Sequence, residues 1–215
     1  NFQWIQVVST LEHALKAEAA GVDALIVVGT EAGGHPPGND VSTLITVRQV
    51  LREVSVPVIA GGGVADGWGI AALLALGADA VQLGTRFLMT HEATVHQAYK
   101  EAVLKAKAAD AVLVGRRSLP VRTLNNEFAK SIFNAEQRDV SAEEYETLFK
   151  KSSLKQAALN GDVEWGKVEA GQSAGLIQDI CSASEVMAEL VRDLHSACNR
   201  LQAMSVTPST TAALA

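Results

Sequence analysis

Two kinds of residue are scarce in this 215-residue sequence: it has 2 cysteines, and aromatic side chains make up 5% of it. Cys181 and Cys198 both fall in a region with a helical pattern and form no disulfide framework, which is typical of a reducing compartment. No apolar run approaches the roughly 18 residues of a membrane-spanning helix, and the first residues show no signal-peptide pattern. We therefore expect a cytoplasmic protein without a membrane segment.

An excess of positive charge is also missing, since 18 lysines and arginines stand against 24 aspartates and glutamates. The resulting net charge of −6 argues against binding to nucleic acid or to an acidic membrane surface. The nucleophile elbow, the P-loop and the dinucleotide-binding glycine fingerprint are all absent. His91 and His96 are not spaced as two ligands on one helix face, so we predict no metal site.

The first half of the sequence alternates between strand and helix patterns. Short runs rich in valine, isoleucine or alanine predict buried strands at residues 4–8, 24–28, 57–60 and 80–83. Amphipathic patterns between and after these runs predict helices, of which the last covers residues 92–107. Such an alternation predicts βαβ units and a parallel sheet.

A weak internal repeat favours one form of parallel sheet over another. The sequence GVDA at 21–24 leads into one predicted strand and GADA at 77–80 leads into another, and a Gly-Thr pair follows each strand. Four such units make half of an eight-fold TIM barrel, although a small open doubly wound sheet would also fit. We favour the half barrel and assign it to residues 1–115.

The start of the chain suggests how the half barrel arises. The sequence begins with asparagine rather than methionine and enters a strand pattern at once. We therefore expect it to be the later part of a longer protein, and we expect the outer strands of its sheet to lack neighbours within the chain. The missing strands would come from that longer protein, from a homodimer or from another partner chain.

The second half of the sequence has a different character, because the strand signals fade from about Pro120. Ser141 and Ser182 each begin a capping-box pattern that predicts a helix. We predict a helical subdomain over residues 116–204 that packs on the barrel. Residues 205–215 are small and polar, and we predict that they form a flexible tail.

Two glycine-bearing loops follow consecutive predicted strands, and each precedes a predicted helix start. They are the glycines at 61–63 and the pair Gly84-Thr85. Backbone N–H groups in such loops, together with the helix dipole, can hold a phosphate group, and the Thr85 hydroxyl adds a donor. The glycines could equally serve only to make tight turns, and the pattern alone leaves both interpretations open.

A histidine lies at the end of the second predicted strand, where the sequence EAGGH covers residues 31–35. A histidine at the carboxyl end of a parallel strand is well placed for general acid–base catalysis, because its charge changes near neutral pH. The alternative is an ordinary surface or packed histidine. The neighbouring Glu31 could orient the loop or be merely solvated, and we favour the solvated side chain. We interpret His13 and His195 as surface residues.

Three motifs in order resemble the nitronate monooxygenase family, once called 2-nitropropane dioxygenases: EAGGH at 31–35, PVIAGGGVADG at 57–67 and LGADAVQLGTRF at 76–87. The same pattern occurs in FMN-dependent type II enoyl-ACP reductases, which share the fold. The segments GDVEWG at 161–166 and AGQSAG at 170–175 also resemble that family's C-terminal region, particularly that of the reductases. The resemblance extends to about residue 203.

The resemblance implies an FMN-binding TIM barrel with a helical subdomain, and it makes His35 the catalytic histidine. Where the family usually has a glutamine beside the flavin, this sequence has Val28, which leaves only a main-chain contact there. The family's first barrel strands have no counterpart in the sequence. The cofactor contacts that the resemblance implies are Val28, Gly33, Gly34, Gly62, Gly63, Gln82, Leu83, Gly84 and Thr85.

The function that the resemblance implies is the FMN-dependent oxidation of an alkyl nitronate by O₂. The first alternative is reduction of an enoyl thioester, as in an enoyl-ACP reductase, or of a quinone, with NAD(P)H as the reductant on the same scaffold. The second is a non-catalytic fragment or a phosphate-binding module, because four strands cannot close a barrel. In the two enzyme hypotheses the partners are a small-molecule substrate and the cofactor, with O₂ in the first.

Overall fold

The computed structural model describes residues 2–205, and its first half is a parallel sheet with helices between the strands. Four strands lie side by side in the order of the sequence. All three neighbouring pairs are parallel, as the alternating pattern predicts. The strands are β1 (Ile5–Val8), β2 (Ala24–Val28), β3 (Val58–Gly61) and β4 (Ala80–Gln82).

Each of the helices between these strands has a polar residue at its N-cap. Thr10, Ser42 and Asp66 each accept a hydrogen bond from the backbone N–H three residues further on. The helices are α1 (Leu11–Ala19), α2 (Thr43–Val50) and α3 (Gly67–Ala75).

The region after β4 differs from the prediction of one helix over residues 92–107. A four-residue helix α4 (Thr85–Leu88) comes first, and the longer helix α5 (Gln97–Lys105) begins five residues later than predicted. The reason is local, since His96 is the N-cap of α5 and its Nδ1 accepts a hydrogen bond from the N–H of Ala98 at 3.1 Å.

An antiparallel hairpin of β5 (Ala111–Val114) and β6 (Val121–Leu124) follows α5. The expectation that strand signals fade from Pro120 is wrong here. The sequence VRTL of β6 does not alternate apolar and polar residues, which is the pattern by which a half-buried strand is recognised. All four residues are buried, arginine and threonine included. The hairpin crosses the predicted domain boundary at residue 115.

Helices fill most of the remaining described chain. They are α6 (Glu127–Gln137), α7 (Ala142–Lys150), α8 (Leu154–Ala158) and α9 (Ala183–Ser205). Ser141 caps α7 by accepting the N–H of Glu144. At the start of α9, Ser182 and Glu185 exchange hydrogen bonds, which confirms the predicted capping box. Of the predicted tail only Ser205 is described, as the last residue of α9.

The sheet is open at both edges. Within residues 2–205, β1 and β4 have no outer neighbour, as the half-barrel hypothesis predicts. Ile5 and Val7 on β1 are 47% and 54% exposed, and Ala80 and Gln82 on β4 are exposed as well. The described chain thus has an α/β fold whose sheet does not close into a barrel. None of the helices in this part of the chain is long and apolar enough to span a membrane.

The contact between α3 and α9 depends on a glycine. A Cβ atom on Gly67 would overlap the backbone of Leu190 and Leu194 in α9, so only glycine allows the two helices to approach this closely. Gly69, also on α3, would place a Cβ 3.1 Å from a methyl group of Val64.

We predict that Gly67→Ala lowers the free energy of unfolding by about 1–3 kcal/mol, because the added methyl group forces α9 away from α3. Gly69→Ala is the matched control: its gain in helix propensity offsets a small shift of Val64, so its effect stays within about 0.5 kcal/mol. Urea denaturation of both variants measures the difference. Equal effects of the two substitutions would contradict the prediction.

Candidate functional site

A cavity of about 700 Å³ lies beyond the C-terminal ends of the four parallel strands. This is the edge at which parallel α/β proteins bind ligands. Leu83 is the exception among the predicted site residues, because its side chain packs against the core between the sheet and its helices. The cavity brings together the others: Val28, Gly33, Gly34, His35, Gly62, Gly63, Gln82, Gly84 and Thr85.

The glycine loops that line this cavity carry unpaired N–H groups. Gly62 and Gly63 have φ values of +100° and +78°, a conformation that favours glycine. The N–H groups of Gly62, Gly63 and Gly84 have no hydrogen-bond acceptor within residues 2–205. Gly84 has an ordinary φ of −102°, and a Cβ atom there would meet no protein atom within 4 Å. The loops therefore form an open cradle of donors that suits an anion.

The helix termini contribute less to this cradle than the sequence suggests. Asp66 caps α3, and its carboxylate accepts the N–H of Gly69 at 2.8 Å, so a negative charge of the protein already lies at that end of the dipole. The helix after Gly84 has only four residues. The buried Thr85 hydroxyl accepts the N–H of Gly171 at 3.0 Å and so links the end of β4 to the segment around residue 171.

His35 is exposed, and its ring is oriented by one hydrogen bond. Its Nδ1 lies 2.8 Å from the carbonyl oxygen of Pro120. Because a carbonyl oxygen can only accept, Nδ1 must carry the hydrogen, and in the neutral ring the lone pair is then on Nε2. His35 is therefore held in the tautomer that can take a proton through Nε2.

The backbone beside His35 is fixed by the hairpin. Gly34 donates its N–H to the carbonyl of Arg122 and accepts the N–H of Arg122 in return. The Arg122 side chain is buried, and it donates to the carbonyl oxygens of Thr30 and Ala111. No carboxylate in the described chain forms an ion pair with it, and burial lowers the pKa of its guanidinium. Arg122 thus clamps both ends of the loop that precedes His35.

Glu31 orients the same loop, so its interpretation as a solvated side chain is wrong. Its carboxylate accepts hydrogen bonds from both the backbone N–H and the hydroxyl of Thr43, each at 2.8 Å. Its carbonyl oxygen accepts the N–H of Gln172. Glu31 thereby joins β2, α2 and the segment around residue 172.

Several cavity residues were not predicted, because they come from distant parts of the chain. Glu169 is half-buried, and Tyr99, almost fully buried, donates its hydroxyl to the carbonyl oxygen of Glu169 at 2.7 Å. Burial raises the pKa of Glu169, and the positive charges of His35 and Lys167 oppose this rise. The one sequence signal was position, since Glu169 directly precedes the AGQSAG motif. His13 also lines the cavity, although exposed.

Apolar side chains also line the cavity, among them Leu88, Val95, Leu154 and Ala158. Within residues 2–205 no cluster of three or more histidine, cysteine, aspartate or glutamate side chains could hold a metal ion. The cavity therefore combines an anion cradle, an oriented histidine, an unpaired carboxylate and an apolar surface.

The model of the nitronate monooxygenase family matches residues 2–193 of this chain. A probable nitronate monooxygenase of Staphylococcus saprophyticus is 31% identical over 206 residues, which is 91% of this chain and 58% of that protein. A nitronate monooxygenase of Paraburkholderia phytofirmans is 34% identical over 209 residues, which is 90% of this chain and 55% of that protein. The chain thus spans just over half the length of these curated relatives.

Two solved structures are also similar to this chain. FabK from Thermotoga maritima is 39% identical, with a TM-score of 0.88 over 94% of this chain and 64% of that one. A nitroalkane oxidase from Streptomyces ansochromogenes is 30% identical, with a TM-score of 0.75 over 93% of this chain and 59% of that one.

We predict that Arg122→Lys lowers the free energy of unfolding by about 1.5–3 kcal/mol, because a lysine cannot reach the carbonyls of Thr30 and Ala111 together. Arg116→Lys is the control, since Arg116 is exposed and pairs with Asp40 at the surface; its effect stays below about 1 kcal/mol. Thermal and urea unfolding measure both variants. If Arg122→Lys lowered the free energy of unfolding no more than Arg116→Lys does, Arg122 would not act as a clamp.

Proposed function

Since this chain belongs to the nitronate monooxygenase family, we propose that it forms the flavin-binding and proton-transferring part of an FMN-dependent oxidoreductase that oxidises alkyl nitronates with O₂. The observation that carries the proposal is that two glycine loops with unpaired N–H groups and an oriented histidine line one cavity. An anionic cofactor and a proton-accepting side chain would thus meet at the same place. A cytoplasmic location is part of this proposal.

The residues present suit FMN. The N–H groups of Gly62, Gly63 and Gly84 would hold its phosphate, and the open space at Gly84 would admit it. Val28 and Gln82 line the cavity at the ends of their strands and would contact the flavin. When bound, FMN supplies the redox chemistry by accepting electrons from the substrate and passing them to O₂.

His35 would act as the base. A neutral nitroalkane carries a proton on the carbon next to its nitro group, and Nε2 of His35 can accept that proton while the electron pair stays on the substrate. The carbonyl of Pro120 holds Nδ1–H through this step and stabilises the ring orientation. A nitronate has already lost the proton, so this step is needed only for the neutral substrate.

A second function is favoured by one observation, the TM-score of 0.88 and 39% identity to FabK. It is the NAD(P)H-dependent reduction of an enoyl thioester or a quinone at the same site. Anaerobic addition of NADPH distinguishes the two: rapid bleaching of the flavin without nitronate favours the reductase. A preparation without flavin absorbance would favour the third hypothesis, a phosphate-binding module without catalysis.

The open strand edges belong to the same proposal. We infer that β1 and β4 pair with further strands of an eight-fold barrel, supplied by another segment of a longer protein or by a second chain. The exposed apolar side chains of β1 and the exposed β4 support this inference.

We predict that Gly84→Leu reduces FMN affinity at least about tenfold, which corresponds to about 1.4 kcal/mol. The leucine meets no protein atom within 4 Å of its Cβ and can enter the cavity, so the fold stays intact while the phosphate loses its space. Gly84→Ala should have a smaller effect. Flavin content measured by absorbance, with circular dichroism as the folding control, tests the series. Full occupancy in the leucine variant would place the phosphate elsewhere.

We predict that His35→Asn slows the oxidation of neutral nitroalkanes by about 10²–10⁴-fold, because the base is lost. The oxidation of nitronates should slow much less. FMN binding should be unchanged, since His35 is exposed on a loop. Steady-state kinetics with both forms of one substrate measure the contrast. An equal loss with both forms would exclude the role as base, and no loss with either would make His35 an ordinary loop residue.

A further inference from the structure

The Glu169 carboxylate has an unusual environment for a charged group. It lines the cavity and is half-buried, yet it accepts no hydrogen bond from any residue in the described chain. One of its oxygens lies 3.2 Å from the position that a Cβ atom on Gly34 would take. The carboxylate therefore lies against the backbone immediately before His35.

Few groups could serve as the partner of this carboxylate. Lys167 is two residues away, but its ammonium group lies over the ring of Phe149, 3.8 Å from the ring centre, and forms no ion pair with Glu169. Tyr99 binds the carbonyl of Glu169 and not its side chain. His35 is the titratable group next to Gly34, against whose backbone the Glu169 carboxylate lies, although His35 and Glu169 form no ion pair within 4.0 Å.

We propose that Glu169 is a positioning residue for His35, whose carboxylate stabilises the imidazolium that forms when Nε2 accepts the substrate proton. The inference rests on the proposed function. In the step itself the carbon–hydrogen bond breaks, its electron pair remains on the substrate, and a nitrogen–hydrogen bond forms on His35. Pro120 holds one side of the ring and Glu169 provides the negative charge that the new cation requires.

The electrostatic coupling can be measured without turnover. Carbon-13 NMR of the glutamate carboxyl groups follows the titration of Glu169 in the complete protein and in its His35→Asn variant. A histidine is positively charged at the acidic pH where carboxyl groups titrate, so removing it should raise the pKa of Glu169 by about half a unit to one unit. His13→Asn is the control, because His13 lines the cavity but does not act on the Glu169 carboxylate, and it should cause no rise.

The effect on His35 is read from the pH dependence of kcat/KM for a neutral nitroalkane. In Glu169→Gln the imidazolium loses its stabilising charge, so the acidic limb should move to lower pH by about half a unit to one unit. Glu169→Asp should restore most of the wild-type profile. Glu164→Gln removes an equal charge from an exposed position on the same segment and should leave the limb in place.

The two measurements separate this inference from the proposed function. An unchanged Glu169 titration in His35→Asn overturns the inference, whatever the enzyme oxidises. If the Glu169 titration shifts in His35→Asn but the protein does not oxidise nitroalkanes, the coupling between the two residues stands and the proposed function is overturned. If Glu169→Gln lowers stability or flavin content but leaves the acidic limb in place, Glu169 is merely structural and the inference is again wrong.

Discussion

The two-way backbone bridge between Gly34 and Arg122 is the contact on which the site depends. It fastens the loop after β2 to the hairpin strand β6, residues that are 88 positions apart in the sequence. Pro120 lies just before that strand, so the bridge brings its carbonyl within reach of His35. The parallel sheet provides the cavity, but the orientation of the histidine comes from the second half of the chain.

Two charged groups near this bridge lack the partners that buried charges usually have. Arg122 has only carbonyl and hydroxyl acceptors, and burial lowers its pKa. Glu169 has no hydrogen bond to its carboxylate, and burial raises its pKa. Each group is costly to bury in its charged form. Arg122 offsets the cost by fixing the loop through several hydrogen bonds, whereas Glu169 faces the cavity, where a positive charge would form during catalysis.

Glycine is required at different positions of the site for different physical reasons. Gly33 would place a Cβ 2.6 Å from the backbone of Ala170 and Gly171, so it permits two segments of the protein to meet. Gly62 has a positive φ and also packs against Thr43. Only at Gly84 does the protein itself give no reason for the missing side chain. Some glycines of these loops are therefore needed only for close packing. Gly84, where a side chain would have space, is the one that points most directly to a ligand.

The sequence by itself determined the elements with local causes: the parallel strands from their short apolar runs, the start of α9 from its capping box, and the cavity edge from glycines and His35 at strand ends. The tertiary structure alone decided what depends on contacts between distant residues. It made β6 a buried strand despite Arg122, made Glu31 an acceptor for Thr43 rather than a solvated side chain, and brought Glu169 to the backbone just before His35. Periodicity and capping act over a few residues, whereas the burial and pairing of a charge are set by whatever the fold places beside it.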